Sequence, residues 1–579
     1  MVNESLSEYT KEELIEEINS LKKNKKFGLV WEDKPENVVK DCEKKLPVLN
    51  EVVENSINMV DGGVVNTIIE GDNYHALSVL NYSHAGKVDI IYIDPPYNTG
   101  NGDFIYNDKY IDKDDAYRHS KWLSFMRRRL ELARTLLAKD GLIFISIDDN
   151  EQAHLKILCD EIFGENKFVA EFIIDKTAQG ANQSSTFKTQ HEFCLLYANS
   201  QNMINSDILG EIDVKKYKYE DDRGRYAITN SFDSINSPLT SNKNRGYTVY
   251  YNEKTGDAIA KDEYNRDSNL FKDYDKGLIE KGYVPIRPGV RKNIQYPWNW
   301  MMSRFEKEYK EDLVFLKNKK GQWGIYHKNR ATGVVKDTTI KRFDTRKFGN
   351  QVLNDILGGK KFDYPKSLDM MMWVLSKHKN KSALVLDFFA GSGTIGQAVL
   401  QLNKKDGGNR QFILCTNNEG KIAENVTYPR IKTVVTGVRE DGTKYSEGLP
   451  ANVRYFRTDF VEKGISTDET REKLVARAAD IIRLKENSFI NVFEKSSLKL
   501  YSNGKIMTAV ILDPFSLPDD WKNIEKYNPK CLDVHLYIFS YSSDTSAFTD
   551  EIPIDTRINW TSRPIPDGIL KVYKKLFNQ

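Results

Sequence analysis

The sequence predicts an α/β protein with a mainly parallel sheet, and three observations carry that expectation. Short runs dominated by Ile, Val and Leu recur, most plainly at 88–93, 142–147 and 383–387. Such runs mark strands buried on both faces, as parallel sheets require. Helical patterns lie between them, and the runs stop at an acid, a glycine or a proline, so polar groups collect at strand ends.

Taken in order, Thr10-Lys11-Glu12-Glu13 is a capping-box pattern ahead of Leu14, Ile15, Ile18 and Leu21, and the helix it starts closes in Lys22, Lys23, Lys25 and Lys26. Residues 1–60 are accordingly assigned to an N-terminal helical arm. A short strand at 66–70 leads to a helix near Gly71-Asp72-Asn73. Asp72 there either caps the helix or accepts from the amino group of a bound adenine ring.

The run at 88–93 ends at Asp94-Pro95-Pro96-Tyr97. Pro95 cannot donate to a ladder and holds Asp94 extended, and Pro96 fixes the next φ. The turn is stiff and offers a carboxylate, a free carbonyl and a ring. It suits a planar molecule carrying an NH2 group, with Asp94 and the Pro95 carbonyl accepting its two hydrogens and Tyr97 stacking on its face. The plain alternative is an ordinary strand-ending turn. A polar loop from Asn98 to about 118 follows, long enough to be functional. A helix through Trp122, Leu123, Met126, Leu130 and Ala133, a strand at 142–147 halted by Asp148-Asp149-Asn150, and a strand at 193–197 complete this part.

Between about 200 and 360 the alternation disappears. Lys215-Lys216-Tyr217-Lys218-Tyr219, Arg223-Gly224-Arg225-Tyr226, Arg287 to Lys292, Tyr296-Pro297-Trp298-Asn299-Trp300 and Lys317 to Lys320 mix cations with aromatic and amide side chains. Cations meet phosphates while rings and amides meet bases, so the composition suits a DNA-reading insert, although many surface loops look alike.

A strand at 383–387 then runs into Phe388-Phe389-Ala390-Gly391-Ser392-Gly393-Thr394, a glycine turn that opens a helix and lets backbone approach a ligand closely. Gly391, Gly393 and Gly396 also satisfy the dinucleotide pattern of an oxidoreductase. That fingerprint serves a pyrophosphate. Asp387 and Phe389 instead offer a carboxylate for an ammonium group and a ring for an aliphatic chain. Beyond about 440 come a helix from 468 and strands at 506–512 and 532–539, without a nuclease acid-acid-lysine cluster or a phosphate-binding GxxxxGK[ST] loop. This last part reads as a small α/β scaffold.

Length and composition frame these readings. At 579 residues the chain should hold several units. With 85 basic and 83 acidic residues, any nucleic-acid surface must be local. The 5 cysteines form no CxxC or Cys/His cluster, which argues for reduced thiols, a cytoplasmic location and no metal site. Neither a signal peptide nor an apolar stretch approaching the ~20 residues of a membrane span is present, so no membrane is expected.

The two turns together resemble those of the S-adenosylmethionine-dependent DNA amino-methyltransferases, whose signatures are a DPPY-type catalytic turn and an FxGxG cofactor loop. The order, catalytic turn, basic insert, cofactor loop, is similar to the β arrangement of that family. Phe362-Asp363-Tyr364-Pro365-Lys366-Ser367 looks like the motif that embraces the methionine end of the cofactor. Phe27 to Glu32, Asp94 to Gly100, Ser146 to Glu151, Thr416-Asn417-Asn418-Glu419 and Tyr455 to Phe460 look like the modification subunits of type III restriction systems.

The resemblance implies a Rossmann-like methyltransferase sheet with an inserted DNA-recognition domain and a small C-terminal α/β domain. Its halves would be 61–200 (catalytic) and 361–440 (cofactor), with 201–360 for target recognition and 441–579 for dimer or partner docking. It implies Asp94, Pro95, Pro96 and Tyr97 as catalytic residues. For the cofactor, S-adenosylmethionine, it implies Asp387, Phe389, Ala390, Gly391, Ser392, Gly393, Thr394, Asp72, Lys366 and Glu419, with an asparagine at 417 or 418 as an alternative to Glu419. The activity implied is methylation of adenine N6 in double-stranded DNA by a homodimer, with a separate restriction subunit as a further partner. N4-cytosine methylation and a non-catalytic DNA-binding specificity subunit stay open as alternatives.

Overall fold

The structure is a computed structural model that describes residues 31–577 except 61–62, 108, 177–186, 188, 201–216, 319, 331–336, 465, 531, 551 and 553–557. The helix expected over 10–26 lies outside the described residues. The chain forms two compact units, one of Met1–Ile208 with Thr338–Gln579 and the other of Leu209–Asp337.

Ten strands build the main sheet of the first unit: β1 Lys45–Glu51, β2 Val65–Glu70, β3 Val88–Ile93, β4 Leu137–Ile147, β5 Phe168–Lys176, β6 His191–Ala198, β7 Ile340–Phe343, β8 Leu384–Asp387, β9 Gln411–Thr416 and β10 Asn452–Glu462. Their order is β1-β10-β2-β9-β8-β3-β4-β6-β5-β7. The six from β10 to β4 are parallel. Antiparallel contacts enter only at β1 and at β6, which runs against both β4 and β5. The sheet is thus mainly parallel, as the apolar runs require.

Alternate residues of β3 enter two different cores. Ile91 and Ile93 join Leu77, Trp122 and Leu155. Ile90 and Tyr92 join Met371, Val399 and Ile431. Helices α1 Asn37–Lys44, α2 Asn73–Ser83, α3 Arg118–Leu136 and α4 Gln152–Phe163 therefore cover one face, and α5 Leu368–Leu375, α6 Thr394–Asp406 and α7 Tyr428–Thr436 the other. Among the described residues no helix is long and apolar enough to cross a membrane.

At the centre β3 lies beside β8, with Val385 opposite Ile90 and Leu386 opposite Ile91. Asp89, the one acid within β3, ties this seam by accepting from the Leu384 N–H at 2.8 Å and the Asn380 amide at 3.3 Å. From β3 the chain winds to β4 on one side, and from β8 to β9 on the other. Such a reversal opens a crevice at the carboxyl ends of the two strands.

Three expected boundaries differ. Within 31–60 a helix is followed by β1, because Leu46, Val48 and Leu49 bury against the main sheet. Residues 338–360 belong to the first unit, where β7 pairs with β5. β10 is a main-sheet strand, so the C-terminal part starts after it. That part begins with α8 Thr467–Glu486, capped by the Ser466 hydroxyl. It continues as a five-stranded sheet of β11 Ile490–Glu494, β12 Leu498–Ser502, β13 Ile506–Ile511, β14 Asp533–Phe539 and β15 Trp560–Ile565, in chain order. It has its own core around Trp521. Leu474 and Ile481 of α8 and Ile569 of the final helix, α9 Asp567–Phe577, pack into the main core.

The second unit is β-rich, with a four-stranded antiparallel sheet of Leu313–Lys317, Trp323–Arg330, Gly224–Ser231 and Tyr219–Asp221. Trp298 and Trp300, read from the sequence as partners for bases, are 2% and 8% exposed and form its core with Phe232, Tyr247 and Phe305. In a segment poor in aliphatic residues, rings are the large apolar side chains available to exclude water. Many of its cations are also committed: Arg330 and Lys328 to Asp221, Arg291 to Asp233, Arg287 to Glu263 and Lys317 to Glu253. Lys215 and Lys216 lie outside the described residues.

Candidate active site

The crevice at the seam is a cleft of about 680 Å³ lined by Asp72, Asp94, Pro95, Phe389, Gly391 and Glu419. A smaller recess of about 110 Å³ joins Asp94, Lys366, Asp387, Phe389 and Gly391. Both expected turns thus meet in one place, at the ends of adjacent strands.

The turn after β8 is shaped by its backbone. Gly391 has φ +47° and Gly393 +73°, the left-handed region that disfavours a side chain. A Cβ on Gly391 would meet nothing closer than 3.8 Å. On Gly393 it would point into the protein, 3.2 Å from Thr427. Gly391 therefore faces the cleft, while Gly393 is the left-handed N-cap of α6. Ser392 and Thr394 line the recess, but their side chains also accept from the buried Arg430 guanidinium at 3.1 and 2.7 Å. The Ala390 N–H is held by the Cys415 carbonyl. Asp387 is 4% exposed, and the Phe389 N–H at 3.0 Å is its hydrogen-bond partner. Burial, with no cation beside it among the described residues, drives its carboxyl well above the ordinary range.

The turn after β3 is held by groups from far along the chain. Asp94 Oδ1 lies 2.8 Å from the Tyr97 hydroxyl and 3.1 Å from the Lys366 ammonium. Lys366 also donates to the Tyr97 hydroxyl at 2.6 Å and to both oxygens of Glu192 at 2.9 Å. Glu192, on β6, is 1% exposed and lies 3.1 Å from the same hydroxyl. Burial pushes the Asp94 carboxyl up, Lys366 opposes that, and Glu192 reinforces it. Lys366 is pulled down by burial, but the two carboxylates outweigh this and hold it above its usual value. Trp122 donates to the Pro96 carbonyl at 2.7 Å, whereas no donor among the described residues reaches the Pro95 carbonyl.

Lys366, expected along the cofactor, thus joins the Asp94 network. Glu192 was not anticipated, because a single acid at the start of an apolar strand gives no sign of its partners. Asp72 caps α2 through the Tyr74 and His75 N–H groups and meets Arg129 at 3.3 Å, which favours the capping reading, although it still borders the cleft. Glu419 lines the cleft and accepts from Asn417 at 3.4 Å. The loop after Tyr97 is not irregular: Asn101–Tyr106 and Lys109–Asp112 form a hairpin whose Phe104 and Ile111 are buried.

Residues 88–426 match the DNA methylase family of N6 and N4 methyltransferases. The EcoPI Mod subunit, a type III restriction-modification enzyme of Escherichia phage P1, is 33% identical over 392 residues, 61% of this chain and 58% of that one. The type II methyltransferase M.KpnI of Klebsiella pneumoniae is 32% identical over 377 residues, 63% of this chain and 83% of that one. The StyLTI Mod subunit of Salmonella typhimurium is 30% identical over 445 residues, 71% and 61% of the two chains. The chain therefore spans about three fifths of the length of the type III relatives. With the matched region running from the strand that carries Asp94 past the glycine turn, and so over both walls of the cleft, this chain belongs to the DNA methylase family.

Proposed function

We propose that this chain transfers a methyl group from S-adenosylmethionine to the N6 amino group of an adenine flipped out of double-stranded DNA. It would work as the modification subunit of a type III restriction-modification system, in the cytoplasm, as a homodimer that also docks a restriction subunit. The observation that carries the reading is the meeting of Asp94 and Asp387 at the ends of adjacent parallel strands, one beside an open carbonyl, the other buried without a cation.

The residues fit the cofactor. Asp387 is a carboxylate that an ammonium group would neutralise, Phe389 offers a ring, and Gly391 leaves the space a Cβ would take. Asp72 and Glu419 border the wider end, where ribose and base would lie. Bound there, S-adenosylmethionine supplies an electrophilic methyl group.

The target base is unreachable inside a duplex and must be extruded, at a cost of a few kcal/mol offset by stacking and phosphate contacts. Asp94 and the Pro95 carbonyl then accept the two amino hydrogens. This turns the nitrogen lone pair out of conjugation, which favours the transition state over the ground state. When the methyl group leaves the sulfonium sulfur, which becomes a neutral thioether, and bonds to the nitrogen, the amino group would have to give up one proton, and the Asp94 carboxylate is the base in the turn that could take it. Lys366 and Glu192 fix that carboxylate and the Tyr97 ring before the base arrives.

The test is incubation of the purified chain with DNA and methyl-labelled cofactor, followed by digestion to nucleosides. Label in N6-methyladenine is expected. Label in N4-methylcytosine would change the base, and unlabelled DNA would overturn the reading.

A further inference from the structure

Behind the catalytic turn lies a second cluster that methyl transfer does not use. Glu151, directly before α4, is fully buried, and its two carboxylate oxygens lie 2.6 Å from His119 Nδ1 and 2.8 Å from His154 Nδ1. His119 comes from the first turn of α3 and His154 from the first turn of α4, so two separate elements converge on one carboxylate. The three ligand atoms lie within 4.8 Å of one another. Both imidazoles are partly open to solvent, at 42% and 33% side-chain exposure. The remaining partner of the carboxylate is the Asn98 amide nitrogen at 2.6 Å, and no Lys or Arg side chain neutralises it among the described residues. Asn98 is itself fully buried; its nitrogen also donates to the Arg118 carbonyl at 3.3 Å, and its Oδ1 has no hydrogen-bond partner among the described residues.

We propose that His119, Glu151 and His154 bind one divalent transition-metal ion, with the Asn98 amide oxygen as a fourth donor. Two imidazoles and a carboxylate form the donor set of zinc, cobalt and related ions, with nitrogen and oxygen about 2.0–2.2 Å from the metal. Donors around such an ion lie about 3 Å apart; each imidazole nitrogen is already 2.6 or 2.8 Å from the carboxylate, and the ion would draw together ligand atoms that now lie within 4.8 Å of one another. The ion replaces the two hydrogen-bonding protons between imidazole and carboxylate, and each ring then carries its proton on Nε2. For His119 this requires Arg118, now 3.2 Å from Nε2, to turn away. Turning over the Asn98 amide would set its orphan oxygen beside Glu151 as the fourth donor, at the loss of the bond its nitrogen makes to the Arg118 carbonyl at 3.3 Å. The ion also brings the positive charge that the buried carboxylate lacks. Because Asn98 follows Tyr97 directly, the site would pin the end of the catalytic turn to α3 and α4. This goes beyond the methyl-transfer reading and does not depend on it.

The full chain, stripped with a chelator and dialysed, is titrated with Co²⁺ and with Zn²⁺ by calorimetry, and the visible spectrum of the cobalt form is recorded. One ion per chain is expected, with a cobalt spectrum of mixed nitrogen and oxygen ligation and a raised melting temperature. His154→Ala, on the outer face of a helix, and Glu151→Gln, which keeps the shape, should each weaken binding by at least tenfold, the scale on which even outer partners of a metal act. Wild-type chain that takes up neither ion overturns the proposal. So does uptake that His154→Ala and Glu151→Gln leave unchanged while both melt cooperatively, since the ion would then sit elsewhere. If Glu151→Gln fails to fold, His154→Ala decides alone.

Discussion

The two strand ends that meet at the seam are built in opposite ways. The turn after β8 is made by neighbours in sequence: two left-handed glycines, a carboxylate capped by the N–H two residues on, and a hydroxyl pair, with Arg430 as a distant brace. The turn after β3 is made by partners far along the chain, since Lys366 reaches Tyr97 across 269 positions and Glu192 across 95. A ligand-shaped backbone can be written locally. A charge network that sets the ionisation of one carboxylate needs groups from several elements. The first should fail through shape and strain, the second through charge.

The largest effect should come from Asp94→Ala. On the proposed reading it removes one acceptor of the target amine without touching the glycine turn, so methyl transfer should fall by about 10²–10³ or more. DNA affinity, dominated by phosphate contacts, and cofactor affinity should change little. Labelled-methyl transfer and binding at matched salt, on one preparation, check this. A normal rate would dismiss Asp94 from the chemistry.

The glycines sharpen the other side. Gly391→Ala and Gly393→Ala each place a side chain in the left-handed region at about 1–2 kcal/mol, read as a lower denaturation midpoint. Gly393→Ala should show the greater loss of stability because its Cβ is crowded by Thr427, and Gly391→Ala the greater loss of S-adenosylmethionine affinity because it faces the cleft. Equal effects on affinity would erase the distinction.

Asp387→Asn should separate stability from binding within one turn. Burial raises the folded-state pKa of Asp387 above its unfolded value, so the stability it contributes is present below the ordinary carboxylate range and lost as pH rises through the raised value. The neutral amide escapes that loss, and at pH 8 the free protein should melt a few degrees higher while calorimetry finds cofactor binding greatly weakened.

The smallest effect is a displacement of the pH profile. Asp94 accepts only as a carboxylate, and its raised pKa puts the acid limb of kcat/KM above the ordinary carboxylate range. Lys366→Met removes the opposing cation and should move the limb to higher pH. Glu192→Gln removes the like charge and should move it lower. Shifts in the same direction would mean that the network acts through packing instead of charge.

How much could be read from the sequence follows the same division. The parallel core was legible because β3, β4 and β8 are apolar on both faces, and the glycine turn because its signal is contiguous. Glu192 escaped notice because an acid beside an apolar strand looks the same whether it meets water or a lysine. Lys366 was noticed, but residue type could not say which wall of the cleft it serves. The His119 and His154 pairing with Glu151 was invisible for the same reason, as spacings of 32 and 3 residues match no ligand pattern. In the insert, composition misled: Trp298 and Trp300 were assigned to a partner, yet they hold the unit's own core.

The seam also sets the order in which the protein can come into being. Asp89 and Leu384 bond across 295 positions, so β3 leaves the ribosome long before its neighbour exists. At roughly 5–20 residues per second, that interval is about 15–60 s, during which one hydrogen-bonding edge of β3 has no strand to pair with. The half-built sheet in this interval can associate with other chains, and it has no complete cleft. A complete cleft therefore arrives abruptly and late in synthesis, once the glycine turn has emerged.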